Sequence, residues 1–184
     1  MIETATSACS VALIEDGAVI ASDAAVVGRG HAERLMPMVA ALPGGGRADE
    51  IWVDCGPGSF TGIRVGIAAA RGLSFGWSVP VHGFSSMALI AADWFARHDG
   101  DAVTVVIEGG HGEKFVQSFQ ANPLRETSAL KSVLAVDVLF DGPCAGDRAP
   151  DARNAILLAG APLSARPIYG RAPDAKPQIV VNTH

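Results

Sequence analysis

From Ile63 to Trp77 the chain carries only two charged side chains, Arg64 and Arg71, and is apolar or small almost everywhere else. Gly62, Gly66 and Ala70 recur every fourth residue, and Ala68, Ala69 and Gly72 add further small side chains. A helix that is apolar nearly all round has to be buried on more than one side. A stripe of small residues lets a second element approach its backbone closely. Two arrangements meet that demand: a central helix in this chain's own core, or a helix shared with a partner subunit. The rest of the sequence can surround such a helix, because 49% of its 184 residues are hydrophobic and 18% are charged, well away from the composition of a disordered chain.

Around this helix the residues alternate between strand and helix patterns. Ser10–Ile14 and Val19–Ala21 flank Asp16-Gly17, a dipeptide that accepts the positive φ angles of a tight hairpin turn. Leu35, Met38, Val39 and Leu42 fall at helical spacing within His31–Leu42, and Ile51–Cys55 reads as a short apolar strand. Val79–Val81 is expected as a strand, followed by a helix capped by Ser85 or Ser86 and ending near Asp99-Gly100. Ala102–Glu108 and Lys114–Phe119 form a second hairpin around Gly109–Glu113. A short helix is expected near residues 129–134 and a strand at 136–140. Strands alternating with helices, plus a hairpin followed by a helix in each half, predict a mixed α/β class with two related lobes. The domain expectation is a first lobe over residues 1–100 and a shortened second lobe with a C-terminal tail over residues 101–184.

Charge and cysteine usage narrow the setting. Fourteen Lys+Arg against nineteen Asp+Glu give a net charge of −5, which argues against this chain gripping nucleic acid or an anionic membrane by itself. Cys9, Cys55 and Cys144 are odd in number and widely spaced, so they build neither a disulfide framework nor a CxxC metal or redox motif. The opening MIETATSACS has no basic start followed by an apolar stretch. Gly72–Ala92 lacks charge but contains Pro80, His82 and several serines and glycines, unlike a membrane span. A cytoplasmic location is expected.

The best candidate site is Gly56-Pro57-Gly58-Ser59-Phe60-Thr61-Gly62, between a strand and the small-residue helix. Such a loop can offer backbone N–H groups to a phosphate at a helix N-terminus. It lacks the Lys-Ser/Thr pair of a Walker loop, and its glycines at 56, 58 and 62 miss GxGxxG by one residue, so a tight structural turn is the competing reading. Other patterns stop short. Asp147 stands where a zinc deaminase would place its second cysteine after Pro143-Cys144. Met87 stands where a nucleophile elbow starting at Gly83 needs glycine. His31 has no second histidine one turn away, so no metal site is expected. Asp54, Glu108 and Glu113 could serve as acid/base groups, although carboxylates at strand ends and turns are more commonly solvated or capping residues.

Ile2-Glu3-Thr4-Ala5-Thr6-Ser7-Ala8-Cys9-Ser10-Val11-Ala12-Leu13, the Gly56–Gly66 segment continuing to Leu73, His31–Pro37, Gly112-Glu113 and Pro167-Ile168-Tyr169-Gly170-Arg171 together resemble the TsaB (YeaZ) family. The resemblance is strong to about residue 120, patchy to about 165, and returns at the tail. It implies an actin/Hsp70-like (ASKHA) fold of two RNase H-like lobes. It also implies a noncatalytic scaffold subunit that dimerises with the catalytic subunit TsaD in the complex that installs threonylcarbamoyl on the adenosine beside the anticodon of tRNA. The small ATPase TsaE joins with its nucleotide, a homodimer forms when TsaD is absent, and tRNA is met only through the complex. No catalytic residue and no metal are implied for this chain, and no cofactor held strongly by it alone, with ATP or ADP entering in the assembled complex. On this reading Leu35, Met38, Arg64, Gly66, Ile67, Ala70 and Arg71 form the partner interface. Glu3, Gly56, Gly58 and Ser59 are where nucleotide contact would occur. Glu3 stands where the family usually has Asp, which weighs against an independent ATP-dependent enzyme, the alternative function.

Overall fold

The computed structural model describes residues 1–28, 30–138, 142–146, 148–158 and 162–171. Its first sheet runs in the order β3 (Ala18–Val26), β2 (Ala8–Glu15), β1 (Ile2–Glu3), β4 (Ile51–Asp54), β5 (Val81–Phe84). β1, β2 and β3 are antiparallel neighbours, whereas β4 and β5 run parallel to β1. The second sheet repeats this plan. β6 (Ala102–Gly110) pairs antiparallel with β7 (Glu113–Gln120), which carries β8 (Arg125–Glu126) and β9 (Lys131–Leu134), while β10 (Cys144–Ala145) runs parallel to β6. A counterpart of β5 is not found among the described strands of that sheet.

The first hairpin turns at Asp16 and Gly17, whose φ angles of 49° and 74° are the positive pair that a two-residue connection requires. α1 (His31–Ala41) lies over β2, and α2 (Phe60–Trp77) lies over β4 and β1. Leu35, Met38 and Val39 of α1 and Ile63, Ile67 and Ala70 of α2 fill the core with Ile2, Val11 and Val53. α3 (Ser86–Arg97) begins where Ser85 Oγ accepts the Met87 N–H at 3.2 Å. Its Met87, Ile90, Ala91 and Trp94 pack instead under the second sheet, against Val103, Val105, Ile107, Phe115 and Phe119.

Several expected elements shift. α2 begins at Phe60 rather than Ile63, and β5 covers Val81–Phe84 rather than Val79–Val81, because Val81 is the residue in register with Ile51. Lys131–Leu134 is a strand, not part of a helix over 129–134. β7 offers it a backbone edge (Lys114↔Val133, Phe115↔Ser132), whereas a helix so short would not repay its nucleation cost. Ala135–Asp137 is a 3₁₀ turn where a strand over 136–140 was expected, and residues 139 and 140 lie outside the described residues. No helix of the described residues is long and apolar enough to cross a membrane.

Candidate functional site

The Gly56–Gly62 loop leaves β4 and is pressed against the Thr4–Ala5 backbone. A Cβ on Gly58 would collide with the Ala5 carbonyl, and one on Gly62 with the Thr4 carbonyl. The loop's donors are used inside the chain: Gly56 N–H goes to Asp54 Oδ1 at 2.7 Å, Ser59 N–H to Ala5 O at 2.6 Å, and Gly62 N–H to Ser59 Oγ at 3.2 Å. Ser59 therefore caps α2, and these three N–H groups are not free to cradle a phosphate. The group expected for nucleotide contact is divided. Gly58 and Ser59 line the cleft described next, whereas Glu3 is buried, with Oε1 accepting the Ala5 N–H at 2.8 Å, and Gly56 is buried behind the loop.

Between the two sheets lies a cleft of about 1070 Å³. One wall comes from Ala5–Ser7, Gly58–Phe60 and Arg64, the other from Ile107–His111 and Phe115. The segment Ile168–Arg171 crosses it as a strap. Ile168 N–H donates to Cys55 O at 2.7 Å in the first lobe, and Arg171 lies 3.7 Å from Glu113 in the second. Tyr169 Oη accepts from Arg64 Nε and a terminal nitrogen at 3.1 and 3.0 Å, while the guanidinium sits 3.5 Å above the Phe60 ring. Just upstream, Leu163 pairs with Gly83 at the free edge of β5, and Arg71 donates to Ala165 O at 2.6 Å. Both arginines expected at a partner rim thus hold this chain's own C-terminal strap.

The other proposed interface residues correct the expectation more strongly. Leu35, Met38, Gly66, Ile67 and Ala70 are buried in the chain's own core. The small-residue stripe makes room for the Thr4–Ala5 segment that follows β1: Thr4 Oγ1 donates to Gly62 O at 2.8 Å, and a Cβ on Gly66 would clash with that same hydroxyl oxygen. The outward stripe of α2 is instead Thr61, Arg64, Ala68, Gly72 and Phe75, with Phe75 90% exposed. Met36 on α1 is 43% exposed and Phe60 54%. Sequence reasoning missed Phe60, Phe75 and Tyr169 as surface and cleft residues. The signal was present for Phe75, which continues the 61, 64, 68, 72 spacing opposite the buried stripe.

Of the candidate acid/base groups, Asp54 forms a buried carboxyl pair with Glu3. Burial pushes Asp54 up to about 7, opposed by hydrogen bonds from Gly56 and Ser86. Burial, and next the Asp54 charge, hold Glu3 well above the usual carboxylate range. Ser86 Oγ donates to Asp54 Oδ1 at 2.7 Å, and Asp54 Oδ2 has no hydrogen-bond partner among the described residues. Neither carboxyl lines the cleft. Glu108 pairs with Lys114, and Glu113 accepts from Ser132 Oγ at 2.6 Å. His31 Nε2 lies 2.9 Å from Thr6 O and 3.1 Å from Ala8 O, a core contact, and no group of three metal-ligating side chains occurs among the described residues.

Two sheets sharing one strand order, with a cleft between them, define a two-lobed α/β protein of the actin/Hsp70-like class. Residues 19–138 match the profile of the family described as TsaD: tRNA N6-adenosine threonylcarbamoyltransferase. The tRNA threonylcarbamoyladenosine biosynthesis protein TsaB of Escherichia coli K12 is 36% identical over 124 residues, 65% of this chain and 53% of that protein. The chain therefore spans about half the length of this curated relative. An uncharacterized protein of Mycobacterium tuberculosis H37Rv is 30% identical over 97% of this chain and 94% of its own length. The solved structure of YeaZ from Pseudomonas aeruginosa superposes with a TM-score of 0.79 at 26% identity, covering 91% of this chain and 97% of that one. The chain belongs to the TsaB (YeaZ) family, within the wider TsaD-like group that the profile describes.

Proposed function

We propose that this chain takes part in making threonylcarbamoyladenosine in tRNA as a noncatalytic partner subunit that seats TsaD on the outer face of α1 and α2. Family membership supports the pathway. The single observation that supports the surface is Phe75, 90% exposed on the outward stripe of α2 beside Ala68, Gly72 and Gly76. A large aromatic side chain left in water among small residues marks a docking surface better than a solvated one. TsaE with its nucleotide joins the pair, tRNA is reached through the complex, and ATP or ADP is held there rather than by this chain alone. The engaged N–H groups of Gly56, Ser59 and Gly62 fit this reading better than an independent ATP-dependent enzyme.

The test is copurification of the tagged chain with TsaD from its own cells, with wild type and Phe75→Glu compared. The wild type should carry TsaD and the variant should lose it while keeping its melting temperature. Loss of TsaD from neither would refute the surface, and steady ATP turnover by the purified chain, absent in Glu3→Ala, would favour the enzyme instead.

A further inference from the structure

The cleft between the lobes carries the opposite charge to the chain around it. Arg64, Arg148 and Arg171 line it, and Glu108 is its one carboxylate among the described residues, in a chain of net charge −5. Glu108 is already paired with Lys114, and Arg171 lies beside Glu113. Arg64 and Arg148 have no carboxylate partner among the described residues. Arg64 is also held in place. Tyr169 Oη accepts from its Nε and one terminal nitrogen, and its flat face lies 3.5 Å above the Phe60 ring. A guanidinium has five N–H donors, so the end of the fork, between the two terminal nitrogens, still has hydrogens to give. A fork oriented beforehand loses little further side-chain freedom when it receives an anion.

The rest of the lining selects the anion. Ile107 of β6, Phe115 of β7 and Ile168 of the strap supply apolar walls. A planar fork matches a planar pair of oxygens. A polyphosphate asks for a cradle of backbone N–H groups as well, and those of Gly56, Ser59 and Gly62 are engaged, as is Ala5 N–H on Glu3 Oε1. The Glu108 carboxylate on the cleft wall also opposes a highly charged ligand. A single carboxylate on an apolar body asks only for a fork and walls. We infer that the cleft is a binding site for a small organic carboxylate with a flat ring body. The carboxylate takes the free end of the Arg64 fork, the rings lie among Ile107, Phe115 and Ile168, and Arg148 adds a second positive charge. Because the walls come from both lobes and the strap, occupancy ties the three together and raises the melting temperature. The site is separate from the Phe75 face and does not rest on the reading of that face as a TsaD seat.

Calorimetric titration of the purified full chain with 2-naphthoate, its neutral isostere 2-naphthamide and magnesium-ATP tests the site. The wild type should bind 2-naphthoate with a Kd of about 1 mM or tighter. The amide should bind more than about tenfold more weakly, because a charge-assisted pair is lost, and ATP should not displace the naphthoate. Arg64→Gln should weaken 2-naphthoate by more than about tenfold, and Arg148→Gln less, with an effect that salt screens. Tyr169→Phe controls for a strap loosened by Arg64→Gln. It breaks the same two hydrogen bonds yet keeps the guanidinium, so it should bind within about threefold of wild type. Phe75→Glu should bind as wild type does. No binding of 2-naphthoate, equal binding of the amide, or displacement by ATP would each overturn the inference. So would Tyr169→Phe losing as much affinity as Arg64→Gln, or a loss of binding in Phe75→Glu.

Discussion

Arg64 at the start of α2 and Tyr169 in the C-terminal strap are 105 residues apart in sequence and joined by two hydrogen bonds, 3.1 Å from Nε and 3.0 Å from a terminal guanidinium nitrogen. The guanidinium also stacks on Phe60, so a single side chain fixes the helix start, the cleft mouth and the strap. Tyr169→Phe should destabilise the fold by about 0.5–1.5 kcal/mol, the usual worth of such hydrogen bonds. Arg64→Lys should cost at least as much, because lysine supplies neither the planar fork nor the flat stack. Urea unfolding at unchanged m-value is the measurement, and a lysine variant as stable as wild type would show that the clasp is incidental.

Gly66 is expected to act on folding rather than on partner choice. A Cβ there would enter the space of Thr4 Oγ1, and a methyl forced into a packed site commonly costs about 1–3 kcal/mol. Gly66→Ala should therefore lower stability in the isolated chain. Combining it with Thr4→Ala should cost less than the two single losses added, because the clashing hydroxyl is gone. A double-mutant cycle on purified protein decides this, with strict additivity the contrary result.

How much of this was legible in sequence follows from the range of the interactions. The Asp16-Gly17 hairpin, the Ser85 cap and the buried character of α2 are local chemistry, and they appear where the residues imply. Which body faces the Gly62/Gly66/Ala70 stripe is not local, since composition describes a stripe that must be covered and is silent on what covers it. Thr4, just past the end of β1 and 58 residues from Gly62, takes the place allotted to a partner. Lys131–Leu134 became a strand because β7 offered an edge, a tertiary effect that overrides weak local preference. The strap was visible only as Pro167–Arg171, and its grip on Arg64 and Arg71 depends on the fold bringing it back across β5.

Ser59 carries the start of α2 through its hydroxyl, which accepts the Gly62 N–H. Ser59→Ala should cost about 1 kcal/mol, as capping serines do, whereas Ser59→Asp should retain the cap and gain from a negative charge at a helix N-terminus. Thermal melts of the three proteins should rank alanine below the other two. Equal melting temperatures for all three would mean that the loop holds the helix start without the side chain.

The buried carboxyl pair makes stability depend on pH in the direction opposite to a salt-bridged acid. Asp54 has an ordinary value of 3.8 and is pushed up to about 7 in the folded chain, so between those values the native state keeps a proton that the unfolded chain has released. Unfolding then releases that proton, and stability falls as pH rises, with a slope approaching about 1.4 kcal/mol per pH unit for each proton so retained. The contribution is fully present below about pH 4 and is lost as pH rises through about 7. Glu3, also raised, extends the same trend. Asp54→Asn keeps an oxygen for the Gly56 and Ser86 hydrogen bonds and places a neutral amide where Oδ2 has no hydrogen-bond partner among the described residues. The variant should be less sensitive to pH from 4 to 7 and more stable than wild type above 7. Urea midpoints across that range measure both, and a wild-type chain that gains stability toward neutral pH while the variant does not would reverse the assignment.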